Sequence, residues 1–241
     1  MSNYSARTDH MHREPNRIIP IRLGSAYCFY LSSPNGAVLI DAGGQNKEHH
    51  LRSVLTVHEH DIRDIQYIIL THTHHDHVGS LAEIKRSAGA KVFVLKDESA
   101  FLKRGRTPLP KGTLLGTKTM VSIGKMLRIG SYPAVEADFV ISDELQLSEF
   151  DYSLHIISTP GHTAGSLTVI VDDDIAFVGD TMFNIRPDTV YPPFANDEAA
   201  LLSSWNRLLK TSCRLFYPGH GKPIERAKLE RSYEKAIKHV K

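Results

Sequence analysis

The run IQYIIL at residues 65–70 passes without a break into THTHHDHVG at residues 71–79, and this junction constrains the fold more than any other feature of the chain. A continuous apolar run of this length reads as a strand buried on both faces. It delivers His72, His74, His75, Asp76 and His77 to its C-terminal end. Imidazole and carboxylate are ligands for divalent metals of the zinc type. In an extended segment, residues two apart point to the same side, so His72 and His74 can share one metal. Val78-Gly79 and a helix expected over 77–88 then turn the chain and aim Asp76 and His77 at a neighbouring point. One short loop can thus serve two metals about 4 Å apart.

Three further ligand-type residues stand in similar surroundings: His162 in TPGHTAGS, Asp180 in VGDT and His220 in YPGHG. Each is expected where a strand gives way to a loop bearing glycine, which lets the backbone bend sharply beside a metal. The placement puts all of these loops at one rim of a sheet assembly. Strands are expected over 18–23, 26–32, 36–41, 65–70, 90–95, 138–142, 154–159, 167–172, 175–180 and 213–218. The segment 167–180 forms a hairpin around the turn-forming Asp172-Asp173-Asp174. Helices are expected over 46–58, 77–88, 97–105 (starting at an acidic N-cap), 197–210 and 225–240. This pattern suits two packed sheets with helices outside. Residues 1–17, with His10 and His12, read as a flexible N-terminal arm, and 18–241 as one domain. Within it, 106–137 is an insertion mixing Pro, Gly and Lys with apolar residues.

The ordered set resembles the H-x-H-x-D-H signature of the metallo-β-lactamase fold superfamily, with Asp41, His162, Asp180 and His220 as its further markers. The resemblance covers roughly residues 18–225. It implies an α/β (α+β) fold, the four-layer αββα sandwich of two mixed sheets flanked by helices, with metals at one edge. It also implies that His72, His74 and His162 hold a first metal, that Asp76, His77 and His220 hold a second, and that Asp180 bridges them. Asp41 matches an acid that orients a ligand histidine or its loop, and His75 is not a ligand in the family pattern. The implied cofactors are two Zn2+ ions, with Mn2+ or Fe as other occupants. A water between them, acidified by both, would attack a small ester, thioester or lactone, with Asp76 orienting it or receiving its proton.

Departures narrow the family. The cysteine-containing β-lactamases carry Cys where this chain has Asp180. GDTMF at 179–183 resembles the hydroxyacylglutathione hydrolases, but those carry a longer C-terminal helical part, and this chain ends soon after His220. The acyl-homoserine lactonases carry a Tyr where Phe183 stands; Tyr191 is the nearest replacement. Two other readings stay open: a mononuclear iron enzyme like the persulfide dioxygenases, and a non-catalytic metal-binding regulatory member. With 29 Lys and Arg against 27 Asp and Glu, the chain is close to neutral, which gives no sign of a nucleic-acid or membrane surface. No signal peptide or membrane span is legible, so a cytoplasmic protein acting on a small molecule is expected, of unspecified oligomeric state. Cys28 and Cys213 sit in apolar runs and read as buried thiols. The apolar residues of 100–130, among them Phe101, Leu102, Leu114, Leu115, Met120 and Met126, are expected either to wall the metal site, where they would suit an acyl chain, or only to pack the insertion onto the domain.

Overall fold

The computed structural model describes residues 17–113, 116, 117, 119, 121, 122 and 130–239. The expected arm up to residue 16 lies outside the described residues, as do Leu114, Leu115, Met120, Ile123, Met126 and Leu127. Arg17, placed in the arm by sequence, is buried. Its guanidinium pairs with Asp151 at 3.0 Å and lies over the Tyr152 ring.

The first half of the chain builds one sheet in sequence order: β1 (Ile18–Arg22), β2 (Tyr27–Ser33), β3 (Gly36–Ile40), β4 (Ile65–Ile69), β5 (Lys91–Leu95) and β6 (Phe139–Ile141). The β1-β2-β3 meander is antiparallel, and β3 to β6 run parallel. The second half builds a matching sheet: β7 (Glu144–Leu147), β8 (Leu154–Ser158), β9 (Leu167–Val171), β10 (Ile175–Asn184), β11 (Leu215–Gly221) and β12 (Ile224–Glu225). It is antiparallel except for the parallel β10–β11 pair. Among the described residues, the strands of one sheet all precede Ser142 and those of the other all follow Asp143.

Period-two alternation sorts the side chains into layers. In β2, β3 and β5, Cys28, Tyr30, Leu39, Val92 and Val94 face outward. There they meet Leu51 and Leu55 of α1 (Glu48–Val57), Leu81 and Ile84 of α3 (Leu81–Ala88), and Leu102 of α4 (Lys96–Arg104). The alternate residues Phe29, Val38, Ile40 and Phe93 face inward, against Ile156, Val169, Val171 and Phe177 of the second sheet. Ile157, Ile170, Ala176 and Phe216 form that sheet's outer face. It is covered by Leu201, Trp205 and Leu208 of α5 (Glu198–Leu209) and by Leu229 of α6 (Arg226–His239). Three apolar layers between four structural ones make the expected αββα sandwich. No helix among the described residues is long and apolar enough to cross a membrane. Both cysteines are buried and free.

Several local expectations need correction. The helix expected over 77–88 is two: a short turn, α2 (His75–Val78), and α3. α4 starts at Lys96, so Asp97 lies in its first turn and does not cap it. Neither Asp180 nor His220 sits in a loop after its strand, because β10 and β11 run on through both residues. The pairing register of β10 with β11 slips on both sides of Gly179. Gly179 adopts φ +50, and a side chain there would collide with Thr71. The bend that aims Asp180 is therefore a kink within paired strands. Leu102 is fully buried in the outer layer beside Tyr132 and Val135, and Phe101 stacks under Arg104. Neither walls the metal site.

Candidate metal centre

β4 ends at Ile69, and the next residues leave the sheet edge extended. His72 and His74 thereby reach one region, and the turn α2 swings Asp76 and His77 beside it. From the other sheet come His162, in the bend after β8, Asp180 from β10 and His220 from β11. All seven residues converge. Their ligand atoms form three overlapping groups, each within 4.8 Å: His72, His74 and His162; His72, His77 and Asp180; and Asp76, His77 and His220. Asp180 belongs to both ends of the cluster. One of its oxygens lies 3.2 Å from His77 Nε2 and 3.4 Å from His220 Nε2; the other lies 3.5 Å from His162 Nε2 and 3.9 Å from His72 Nε2.

Following the protons shows what these imidazoles leave open. A neutral imidazole has one N–H and one lone pair. Burial pushes the His74 imidazole down to about 3 and lowers His162 as well, so both are neutral. His74 Nε2 lies 3.2 Å from the Pro108 carbonyl, and His162 Nδ1 lies 2.9 Å from the Phe194 carbonyl. A carbonyl only accepts, so each ring spends its single proton there. His74 Nδ1 and His162 Nε2 then face each other at 2.9 Å as two lone pairs, an arrangement that a cation satisfies and a hydrogen bond does not.

The same accounting holds on the other side. Asp41 Oδ1 accepts from the Thr71 backbone N–H, and Oδ2 accepts from the Thr71 hydroxyl at 2.7 Å and from His77 Nδ1 at 2.8 Å. With its proton given to Asp41, the Thr71 hydroxyl can only accept from His72 Nδ1, 3.1 Å away. His72 Nε2, His77 Nε2 and Asp180 Oδ1 are left buried with no hydrogen-bond partner. Burial disfavours a charged His77, but the Asp180 and Asp41 carboxylates outweigh it and raise its proton affinity. A cation placed there meets the same field, so metal and proton compete. Burial also works against the Asp180 carboxylate, yet the nearby His220 and His77 hold it down to about 2. Three nitrogen lone pairs, a His77 Nε2 that a metal can take from its proton, and ionised carboxylates around one point are the donor set that zinc-like dications take.

Sequence reasoning missed several supports. Thr71 relays Asp41 to His72. Ser25 Oγ donates to Asp76 Oδ2 at 3.1 Å. Buried Glu98 accepts from both the backbone and the hydroxyl of Thr73, fixing the residue between the two histidines; Thr107 and Tyr132 extend that network. Phe183 stacks on His220 with ring centroids 4.7 Å apart. Gly219 lies so close that a Cβ would come 2.6 Å from His77 Cε1 and 2.7 Å from Asp180 Oδ1. Tyr191 does not enter the site: its hydroxyl donates to Glu198 and its ring packs on Trp205.

His75 lies half-buried on the wall of the adjoining cavity and outside all three ligand groups. His75→Ala is expected to change kcat less than tenfold and to leave metal content intact. His74→Ala should remove both, and an equal loss in the two variants would show the ligand register to be wrong.

Fold and site together define the class, a metal-dependent hydrolase. The chain belongs to the metallo-beta-lactamase superfamily, whose profile matches residues 21–220. It is 28% identical over 210 residues to a probable metallo-hydrolase of Bacillus subtilis, a match covering 85% of this chain and 89% of that one. It is 29% identical over 144 residues to a hydroxyacylglutathione hydrolase of Rhodopseudomonas palustris, covering 59% of this chain and 42% of that protein. Among solved structures, a motif mutant of a metallo-beta-lactamase from Cronobacter sakazakii superposes with a TM-score of 0.70 at 22% identity. That superposition covers 93% of this chain and 92% of the other.

Proposed function

We propose that this chain is a dinuclear, zinc-dependent hydrolase of small esters, thioesters or lactones. His72, His74 and His162 would hold one ion, Asp76, His77 and His220 the other, and Asp180 both. The observation that supports this reading most directly is the proton accounting. The N–H groups of His72, His74 and His162 and the Nδ1–H of His77 are spent on outward acceptors, which turns the other ring nitrogen of each inward on a buried carboxylate. When bound, two such cations supply a water acidified to near-neutral pKa and a Lewis acid for the substrate oxygen.

The chain's own residues do the rest. Asp41 and the two carbonyls fix the imidazole tautomers, so no ring has to reorganise on binding. Asp76 is partly buried, which disfavours its charge, but the His220 contact and the neighbouring imidazoles hold it ionised. In this reading its carboxylate, which accepts from Ser25 Oγ, would orient the attacking water or accept its proton.

Purified protein loaded with zinc and desalted is expected to carry about two equivalents of metal per chain by elemental analysis. Chelation should abolish ester, thioester and lactone hydrolysis, and zinc should restore it. One equivalent or fewer after loading would count against the dinuclear centre.

A further inference from the structure

Above the metal cluster opens a cavity of about 500 Å³, with His74, Asp76, His162, Asp180 and His220 at its base. Its walls have a different chemistry. Leu109, Val121, Phe183, Ile185, Pro193 and Phe194 line them, and outside the base His75 and Thr117 are the polar lining residues among the described residues. Ile185, at 61% exposure, is one of few large apolar side chains left in water.

The walls are built, not draped. The segments around 111 and 195 are zipped together: Thr113 N–H donates to the Pro193 carbonyl at 3.0 Å, Ala195 N–H to the Lys111 carbonyl at 2.9 Å, and Lys111 N–H to Asn196 Oδ1 at 3.0 Å. The same two segments supply the Pro108 and Phe194 carbonyls that orient His74 and His162. The apolar wall is thus held in register with the metal ligands.

We infer that this cavity takes an uncharged, apolar acyl chain of several carbons, with the scissile carbonyl at the metal end and the chain running outward past Ile185. The inference rests on the hydrolase reading above and narrows its substrate class. Charged groups on the acyl portion would be desolvated against Leu, Val and Phe side chains, with His75 and Thr117 as the polar wall groups among the described residues. An alkyl chain gains on the same surface, and it covers an isoleucine that is otherwise exposed. A preformed wall adds little ordering cost to that gain.

The test is a series of p-nitrophenyl esters from acetate to decanoate on the zinc-loaded protein, alongside calorimetric binding of acetate and decanoate. kcat/KM is expected to rise about two- to fourfold per methylene along the series, and decanoate to bind at least tenfold tighter than acetate. Ile185→Glu, at an exposed position that should not disturb folding, is expected to cut the decanoyl-to-acetyl efficiency ratio about tenfold. Leu109→Ala should reduce it severalfold. Ester cleavage that is flat or declines with chain length, with decanoate binding no tighter than acetate, overturns the acyl assignment and leaves the hydrolase reading standing. Chain-length-dependent carboxylate binding without cleavage of any ester supports the acyl pocket and sinks the hydrolase reading. Neither cleavage nor chain-dependent binding overturns both.

Discussion

Asp180→Ala is expected to lower turnover at least about 10³-fold, equivalent to about 4 kcal/mol of lost transition-state stabilisation, and to drop bound metal from two equivalents to one or fewer. Among the described residues, Asp180 is the carboxylate that approaches both ends of the cluster, with His77 and His220 at one oxygen and His162 and His72 at the other. Alanine leaves two groups of imidazoles with no shared anion between them. In the proposed dinuclear centre each cation would then lose a ligand, and the field that would draw the second beside the first would be gone. Folding should be spared, because Asp180 belongs to none of the three apolar layers. Circular dichroism should therefore match that of the parent protein while elemental analysis and kinetics diverge. A variant that kept two metals and its turnover would remove the bridge from the mechanism.

The second large effect is expected from a residue that is not in any of the three ligand groups. Asp41→Asn should weaken zinc affinity about 10- to 100-fold, the range typical of groups that orient metal ligands. Asp41 sits at φ +62, a left-handed conformation that Asn tolerates as well as Asp, so the backbone gives no cause for the loss. The cause is proton direction. The Asn carbonyl would stay on the Thr71 backbone N–H, which leaves its NH2 facing the Thr71 hydroxyl and His77 Nδ1. Both must then accept. His77 moves its proton to Nε2, the atom turned toward the metal, and the Thr71 hydroxyl is free to donate to His72 Nδ1, with the same result there. Competition titration against a chromophoric chelator measures the change, and an unaltered affinity would show that Asp41 does not set the tautomers.

The residues that converge were legible because side-chain identity and spacing mark them: H-x-H-x-D-H after an apolar strand brings its members to one sheet edge, and the family resemblance points to the other three. Its supports were hidden for a physical reason. Pro108 and Phe194 act through backbone carbonyls, which every residue has, so their types carry no signal. Thr71 and Glu98 are ordinary residues until the fold brings Asp41 and Thr73 against them. Among the strands, the long alternating ones were clear. β7 and β12 were not, since β7 is half exposed and β12 is two residues long. The continuation of β10 through Gly179 was masked by the same glycine that suggested a loop. Of the apolar residues singled out in 100–130, Leu102, one helical turn from the inward-facing Glu98, packs into the outer layer, Phe101 lies under Arg104, and the other four lie outside the described residues; it is Leu109, Pro110 and Val121 of that segment that line the cavity.

The passage from one sheet to the other at Ser142-Asp143 divides the described molecule into two halves of the chain. Among the described residues, a chain cut there keeps every ladder of the two six-stranded sheets, since each sheet is drawn from one side of the cut, and leaves the short pairing of 111–113 with 193–195 to re-form between the fragments. Each fragment would expose the inner face that the other normally covers. The ligands are divided as well: His72, His74, Asp76 and His77 stay with one fragment, and His162, Asp180 and His220 with the other. Reassembly of the pair is then coupled to the metals by mass action. Zinc would lower the concentration at which the fragments find each other, and hydrolysis would report their complementation, which makes this fold a natural candidate for a split reporter whose signal depends on zinc.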